Sequence, residues 1–200
     1  KEKLLHYFSK ISLIGKSLLS LLNDLLDLSK LESGKLDCEM QKVNLNQVIE
    51  NVSNEFISLV EEKSVSLEFS PNNLQSEIIC DRNKISQVIR NLLSNAIKFT
   101  AKNNKITISI NHDKIVKVGD DRTIPALMVR ISDQGVGITE DELNSVFDKF
   151  IQSSMTKTGA GGTGLGLAIC KEIIEAHNGK IWAENNAETG STFSFLLPYK

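Results

Sequence analysis

The sequence predicts an α+β domain preceded by one long helix. Apolar residues recur at helical spacing over residues 4–31 and again over residues 84–99. Apolar and polar residues alternate with a period of two over residues 65–69, 106–110 and 126–132, which is typical of half-buried strands. With 200 residues, of which 40% are hydrophobic, the chain can form the core of one domain and carry a small additional element.

Composition disfavours several classes of function. The formal net charge of −2 does not favour binding to nucleic acid or to an anionic membrane surface. Cys38, Cys80 and Cys170 are far apart and form no Cys-x2-Cys pair, so we expect neither a disulfide framework nor a zinc site, and a reducing cytoplasm is the simplest location. We expect no signal peptide at the N-terminus and, because no apolar run is long enough to span a bilayer, no membrane contact by this stretch.

The N-terminal helix has a wide apolar stripe. Its members recur at helical spacing: Leu4, Leu5, Phe8, Ile11, Ile14, Leu18, Leu19, Leu22, Leu25 and Leu26. Because such a stripe needs more than one neighbour, we predict an intermolecular helical bundle, the alternative being a helix packed only on its own domain. The run Glu-Ser-Gly-Lys at residues 32–35 ends the helix. We therefore expect two parts, residues 1–36 and 37–200, in a fragment of a longer protein.

Helices and strands alternate through the first half of the main domain. Asn44 is the predicted N-cap of a helix that runs to about Lys63. Asp81 is the predicted N-cap of a second helix, which ends near Phe99. A polar hairpin loop surrounds Gly119. The predicted strands here are residues 43–45, 65–69, 77–80, 106–110 and 126–132.

The second of these helices carries a narrow polar stripe. At about 100° per residue, Asn91, Asn95 and Lys98 fall on one line beside a broad apolar arc. The arc predicts that the helix is docked on a core, which places the polar stripe at the edge of that core. Amide oxygens can bind a hard cation, and a lysine can bind phosphate. The alternative is a buried helix with an ordinary solvated face.

A carboxylate follows the strand at residues 126–132. By the period of two, Asp133 lies on the inward face of that strand and must find a hydrogen-bond donor. An amino group on a bound heterocycle would serve. Gly135 and Gly137 would let the backbone turn and approach a flat ligand closely. The alternative is a common Asp-Gly turn.

The last third of the chain predicts a lid and an anion site. We expect a short helix at residues 140–147. Residues 152–163 contain little to bury, which is typical of a mobile lid. The glycine-rich residues 161–167 open an amphipathic helix, where backbone N–H groups can bind an anion, although linkers are also glycine-rich. The chain closes with two strands, residues 180–184 and 191–197.

These motifs, taken in order, resemble those of a known family. They read Asn-x3-Asn-Ala-x-Lys-Phe, Asp-x-Gly-x-Gly, Phe-x2-Phe, Gly-Gly-Thr-Gly-Leu-Gly-Leu and Gly-Ser-Thr-Phe. Together they resemble the catalytic ATP-binding domain of bacterial sensor histidine kinases, whose relatives are the gyrase, heat-shock chaperone and mismatch-repair ATPases. Residues 27–35 resemble the end of the second helix of the kinase dimerisation domain. The resemblance implies a Bergerat-type two-layer α/β sandwich with a mixed sheet, and a lid anchored by Phe147 and Phe150.

The resemblance also implies a role for each motif residue. Asp133 would bind the adenine amino group, and Thr192 would support adenine through its hydroxyl, directly or through water. Asn95 would coordinate Mg²⁺, and Asn91 and Lys98 would complete the catalytic set near the phosphates. The implied nucleotide-binding residues are Asn91, Asn95, Lys98, Asp133, Gly135, Gly137, Ile138, Phe150, Gly162, Thr163, Gly164, Leu165, Gly166 and Thr192.

The function implied by the resemblance is that of a two-component sensor kinase. The γ-phosphate of ATP would pass to a histidine and then to an aspartate of a response-regulator receiver domain. The implied ligands and partners are ATP or ADP, Mg²⁺, a receiver domain and a second copy of the chain, bound through the N-terminal helix. The location would be cytoplasmic, in a full-length protein that can be anchored in the inner membrane. The alternatives are a nucleotide-dependent regulatory binding module without phosphotransfer and a scaffolding dimer domain, and the complete motifs disfavour the latter.

The histidines depart from the family pattern. The acceptor histidine of the family is followed by an acidic residue and then Leu-Arg-Thr-Pro, whereas His6 is followed by Tyr-Phe-Ser. We therefore expect the acceptor to be absent from this fragment, and the fragment to bind ATP without phosphorylating itself. His112 ends a strand and His177 ends a helix, so we expect both to be structural.

Overall fold

The chain divides into two compact units, Lys1–Leu36 and Asp37–Lys200. The structure is a computed structural model that describes seven positions between residues 7 and 25, and then residues 37–71, 76–116, 119, 122–151 and 163–199. Within this described part, no helix is long and apolar enough to cross a membrane.

The described positions of the first unit are all α-helical, as the apolar spacing predicts. Their apolar side chains are 41–62% exposed within this chain: Tyr7, Phe8, Leu18, Leu19, Leu22 and Leu25. The other residues of this unit lie outside the described part of the chain. The predicted intermolecular bundle therefore stays a prediction.

The second unit combines helices with a mixed sheet. Its strands are β1 (Met40–Asn44), β2 (Ser66–Phe69), β3 (Glu77–Asp81), β4 (Lys105–Val116), β5 (Thr123–Asp133), β6 (Lys180–Asn185) and β7 (Ser191–Pro198). Its α-helices are α1 (Leu45–Glu55), α2 (Ile57–Lys63), α3 (Arg82–Phe99) and α4 (Gly166–Ala176). The five-stranded sheet has the order β2-β4-β5-β7-β6, and β1 pairs with β3 in a separate ribbon. Only β2 and β4 are parallel among the pairs described, so the sheet is mixed, as predicted.

The core lies between one face of this sheet and the helices. Leu127, Val129 and Ile131 project from the central strand β5 and are at most 1% exposed. The helices α3 and α4 contact each other and also contact the sheet. This two-layer arrangement confirms the predicted fold class, and it places the end of β5 beside α3.

The helix α3 is defined by interactions at both ends. At its start, the Asp81 carboxylate accepts hydrogen bonds from the N–H groups of Asn83 (2.9 Å) and Lys84 (3.0 Å), which confirms the predicted cap. At its end, the Lys63 ammonium donates to the carbonyl oxygens of Ile97 (2.9 Å) and Lys98 (3.0 Å). These carbonyls lack partners within a helix, so the lysine satisfies them.

Two predicted helices differ from the structure. The helix expected to run from Asn44 to Lys63 breaks at Phe56, whose φ and ψ are −102° and −1°. The break lets α1 bury one apolar face while α2 contacts β2, the strand that comes next in the chain. The helix expected at residues 140–147 is one 3₁₀ turn, Glu140–Glu142, followed by turns. Its sequence offers only Val146 and Phe147 as buried side chains, too few to dock a regular helix.

Asp81→Ala should destabilise this unit by about 1–2 kcal/mol, because it removes the cap of α3. The loss also frees the Glu39 N–H, which donates to the second carboxylate oxygen at 3.0 Å. Urea unfolding measures the effect. The exposed Asp141→Ala is the control and should stay within about 0.5 kcal/mol of wild type. Equal destabilisation by the two variants would contradict this account of the cap.

Candidate functional site

The site is centred on Asp133, the last residue of β5. Its side chain is 3% exposed and lies on the inner face of the sheet, as the period of two predicts. Two residues further on, Gly135 forms an isolated antiparallel bridge with Thr100, which directly follows α3. The backbone after Asp133 is therefore held against the C-terminal end of α3.

The Asp133 carboxylate is buried without a cation. One oxygen accepts from the Ser191 hydroxyl (2.8 Å), and the other accepts from the N–H groups of Gly135 (2.8 Å) and Ser191 (3.4 Å). No lysine or arginine in the described residues forms an ion pair with it. Burial raises its pKa above the ordinary 3.8, and the hydrogen bonds from Ser191 and Gly135 oppose that rise. Two carboxylate oxygens offer about four lone-pair directions, so the group can still accept from a ligand.

Thr192 carries its hydroxyl on the face opposite the Asp133 carboxylate, and its expected adenine contact stays a prediction. Its hydroxyl lies 2.6 Å from the Asn186 amide oxygen and 2.9 Å from the Ser132 hydroxyl. Thr192 pairs with Ser132 in the strand register and shares its face, which is the one opposite the Asp133 carboxylate. Ser191 is the hydroxyl beside Asp133. Alternation from the buried Phe193 places Ser191 on the inner face, so the sequence contained the signal.

Two glycines allow the close packing around Asp133. A Cβ atom on Gly190 would lie 2.0 Å from the Asp133 carbonyl oxygen. A Cβ atom on Gly135 would lie 2.7 Å from both the Phe99 carbonyl oxygen and an Asp133 carboxylate oxygen. Any side chain at either position would push the strand end away from its neighbours.

One residue of the predicted polar stripe of α3, Asn91, contacts the start of α4. Asn91, Asn95 and Lys98 are each partly buried. The Asn91 amide donates to the carbonyl of Gly166, the first residue of α4, at 3.3 Å. Burial lowers the pKa of Lys98, and the nearby charge of Lys63 lowers it further. The fold thus brings the asparagine motif and the glycine-rich motif together, although they are far apart in sequence.

The glycine-rich motif forms the N-terminal end of α4. The Leu165 N–H donates to the Thr163 hydroxyl at 3.1 Å, and Leu165 itself is fully buried. Gly164 has a φ of +71°, which a glycine adopts without strain. Free N–H groups at a helix start can bind an anion, so the phosphate loop stays a prediction that this placement permits. Gly162 and the rest of residues 152–162, which include all of the predicted lid except Thr163, lie outside the described residues.

The two phenylalanines of the Phe-x2-Phe motif differ. Phe147 is buried, and its ring packs edge-to-face on Phe193 with centroids 6.1 Å apart. The ring of Phe150 is 64% exposed, and its φ is +64°. The Phe150 N–H donates to the Gly164 carbonyl at 3.0 Å, so a backbone hydrogen bond joins the Phe-x2-Phe motif to the glycine-rich motif. Phe147 is thus packed in the core and the Phe150 ring is exposed, and their roles as anchors of the lid stay predictions.

Ile138 is held by an asparagine that the sequence did not reveal. The Asn185 amide accepts from the Ile138 N–H (2.9 Å) and donates to the Ile138 carbonyl (2.6 Å). This pair of bonds fixes the backbone just after Gly137, whose φ is +75°. The described residues contain no cluster of three or more histidine, cysteine or acidic side chains that could hold a metal. A cation here would need amide and phosphate oxygens instead.

Asp133→Asn should change how stability depends on pH. A carboxylate with a raised folded-state pKa binds protons more strongly when folded, so its contribution is fully present below its ordinary pKa of 3.8 and is lost as the pH rises through the raised value. We expect the free energy of unfolding of wild type, relative to Asp133→Asn, to fall over this interval. Urea unfolding at several pH values tests this, with Asp141→Asn as the control for charge removal. A free-energy difference between wild type and Asp133→Asn that stays constant or grows as the pH rises would contradict a raised pKa of Asp133.

Comparison with known proteins agrees with this geometry. Residues 80–200 match the family described as histidine kinase-, DNA gyrase B- and HSP90-like ATPases. Histidine kinase 5 of Arabidopsis thaliana is 36% identical in a match that covers 93% of this chain and 22% of that protein. The chain spans 21–22% of the length of the first curated relatives that it matches.

Solved structures give the same result. The catalytic domain of histidine kinase ThkA is 35% identical with a TM-score of 0.67, and the match covers 80% of this chain and 95% of that domain. ThkA in complex with the response regulator TrrA is 28% identical with a TM-score of 0.74, and the match covers all of this chain and 52% of that one. The chain therefore belongs to the histidine kinase-, DNA gyrase B- and HSP90-like ATPase family, in which it is the ATP-binding catalytic portion of a sensor histidine kinase.

Proposed function

We propose that this chain binds ATP with Mg²⁺ beside α3 and presents the γ-phosphate to a histidine of the whole protein. The buried carboxylate of Asp133 is the observation that supports this most strongly. It has hydrogen-bond donors from Ser191 and Gly135, but no counter-ion among the described residues. A buried anion without a counter-ion lowers the stability of the fold, so its presence favours a role in binding or catalysis. The adenine amino group is a neutral hydrogen-bond donor that such a carboxylate could bind.

The phosphates would lie between the polar stripe of α3 and the start of α4. Lys98 supplies a positive charge there, and the N-terminal N–H groups of α4 supply donors. Asn95 is partly buried, and its amide makes no hydrogen bond to the described residues, so its oxygen is available to Mg²⁺. The metal, when bound, neutralises charge that develops on the transferred phosphoryl group. The roles of Asn91, Asn95 and Lys98 are to position the phosphates and the ion.

The phosphotransfer partners belong to the whole protein. A histidine on another helix would accept the γ-phosphate, and a receiver-domain aspartate would then take it. The similarity to ThkA, solved in complex with a response regulator, supports a receiver domain as partner. No observation in the described residues favours the alternative of a regulatory module without phosphotransfer.

A second copy of the chain is the proposed partner of the N-terminal helix. Its described apolar side chains are 41–62% exposed within one chain, and a helical bundle would cover them. The exposure of leucines at 18, 22 and 25, which recur at helical spacing, supports this arrangement. We also propose a cytoplasmic location, which follows from the proposed kinase function.

ATP with Mg²⁺ should raise the melting temperature of the chain, because it binds only the folded state. Asp133→Ala should weaken ATP binding by about 10- to 100-fold, the value of one hydrogen bond to a charged group. Titration calorimetry measures both affinities, and circular dichroism checks that the variant is folded. The exposed Asp141→Ala is the control. Undiminished affinity in folded Asp133→Ala would exclude the adenine role.

Asn95→Ala should affect only the magnesium-dependent part of binding. With Mg²⁺ the dissociation constant for ATP should rise by about tenfold or more, as expected when a metal site is impaired. With EDTA in place of Mg²⁺ it should change little, because the amide is assigned to the ion. The neighbouring exposed Ser94→Ala is the control. Equal losses in the two conditions would refute the metal assignment.

A further inference from the structure

Asn186 lies at the junction of β6 and β7, on the far side of the sheet from the Asp133 carboxylate. It directly follows β6 and is partly buried. Its own N–H donates to the Gly190 carbonyl at 3.0 Å, which closes the connecting turn. Its side chain then points across β7 to the end of β5. The residue therefore contacts both β5 and β7, the strands that carry Asp133 and Ser191.

The amide nitrogen of Asn186 joins β5 to the turn. It donates to the Asp133 carbonyl at 2.7 Å and to the Thr189 carbonyl at 3.1 Å, and the Ser191 carbonyl lies at 3.4 Å. An amide nitrogen carries two hydrogens, so the two shorter contacts use its full donor capacity. The side chain thus connects the main chain of Asp133 with the backbone that leads into Ser191.

The amide oxygen of Asn186 is also used. It accepts from the Thr192 hydroxyl at 2.6 Å and lies 3.4 Å from the Ser132 hydroxyl. These contacts orient the amide, so its nitrogen points at the carbonyl oxygens. An aspartate of the same shape would place a negative charge against those carbonyls and could donate to none of them.

The hydrogen bonds of the Asn186 side chain lie where the pairing between β5 and β7 ends. The last register pair between β5 and β7 is Ser132 with Thr192, so Asp133 and Ser191 lie one step beyond it. The hydrogen bond from the Ser191 hydroxyl to Asp133 is nevertheless 2.8 Å long. We propose that Asn186 is a positioning residue for adenine recognition, which holds Asp133 and Ser191 together through their main chains. The inference rests on the proposed binding of the adenine amino group by Asp133.

The test uses two nucleotides that differ only in that amino group. ATP and purine riboside triphosphate, which lacks the 6-amino group, are titrated with Mg²⁺ by calorimetry. Wild type should prefer ATP by about tenfold or more. In Asn186→Ala the preference should fall by about fivefold or more, while the affinity for purine riboside triphosphate changes little. Thr189→Ala, an exposed side chain in the same turn, should retain the full preference.

Two further measurements separate the possible outcomes. Asn186→Asp keeps the shape without the donors, so it should lose the preference as well, and it replaces Asn186→Ala if that variant lacks a cooperative unfolding transition. The pKa of Asp133, followed by carboxyl NMR without nucleotide, should rise in Asn186→Ala because the Ser191 bonds that lower it lengthen; Asn186→Asp is left out of this measurement because its own charge would raise that pKa. A preference kept in both folded variants, or an unchanged Asp133 pKa, would overturn the inference. A wild type without preference, but with the expected pKa change, would instead refute the adenine role of Asp133.

Discussion

The buried hydrogen bond between Ser191 and Asp133 is the interaction on which the site depends. It joins the ends of β5 and β7 at 2.8 Å and leaves the carboxylate inside the domain with no cation beside it among the described residues. Burial of a charge with only neutral donors raises its pKa and costs stability. A core evolved only for stability would replace it with an apolar side chain. The proposed role of the carboxylate in adenine binding accounts for its retention at this cost.

The rest of the domain keeps this carboxylate next to the phosphate side of the site. The bridge between Gly135 and Thr100 attaches the strand end to the end of α3, and Lys63 satisfies the last carbonyls of that helix. The contact from Asn91 to Gly166 then attaches α3 to the start of α4. Rigid elements thus carry both ends of the proposed nucleotide site, so the distance between them is set by core packing and not by loops.

Local patterns predicted much of this arrangement, and long-range contacts account for what they missed. The Asp81 cap, the stripe on α3 and the inward direction of Asp133 follow from capping and periodicity alone. The break at Phe56 depends on which neighbours each helix half meets, which periodicity does not contain. The roles of Asn185 and Asn186 depend on residues about fifty positions away. The motif resemblance points to Thr192, whereas strand alternation indicates that Ser191 is the hydroxyl beside Asp133.

The most direct test of the account is a crystal structure of the chain with a non-hydrolysable ATP analogue and Mg²⁺. The account predicts that the adenine amino group lies within about 3.2 Å of an Asp133 carboxylate oxygen, with the hydrogen bond from Ser191 retained. It also predicts phosphates between the polar stripe of α3 and the N-terminus of α4. An adenine ring bound elsewhere, or an amino group that contacts only solvent or main chain, would contradict the central claim.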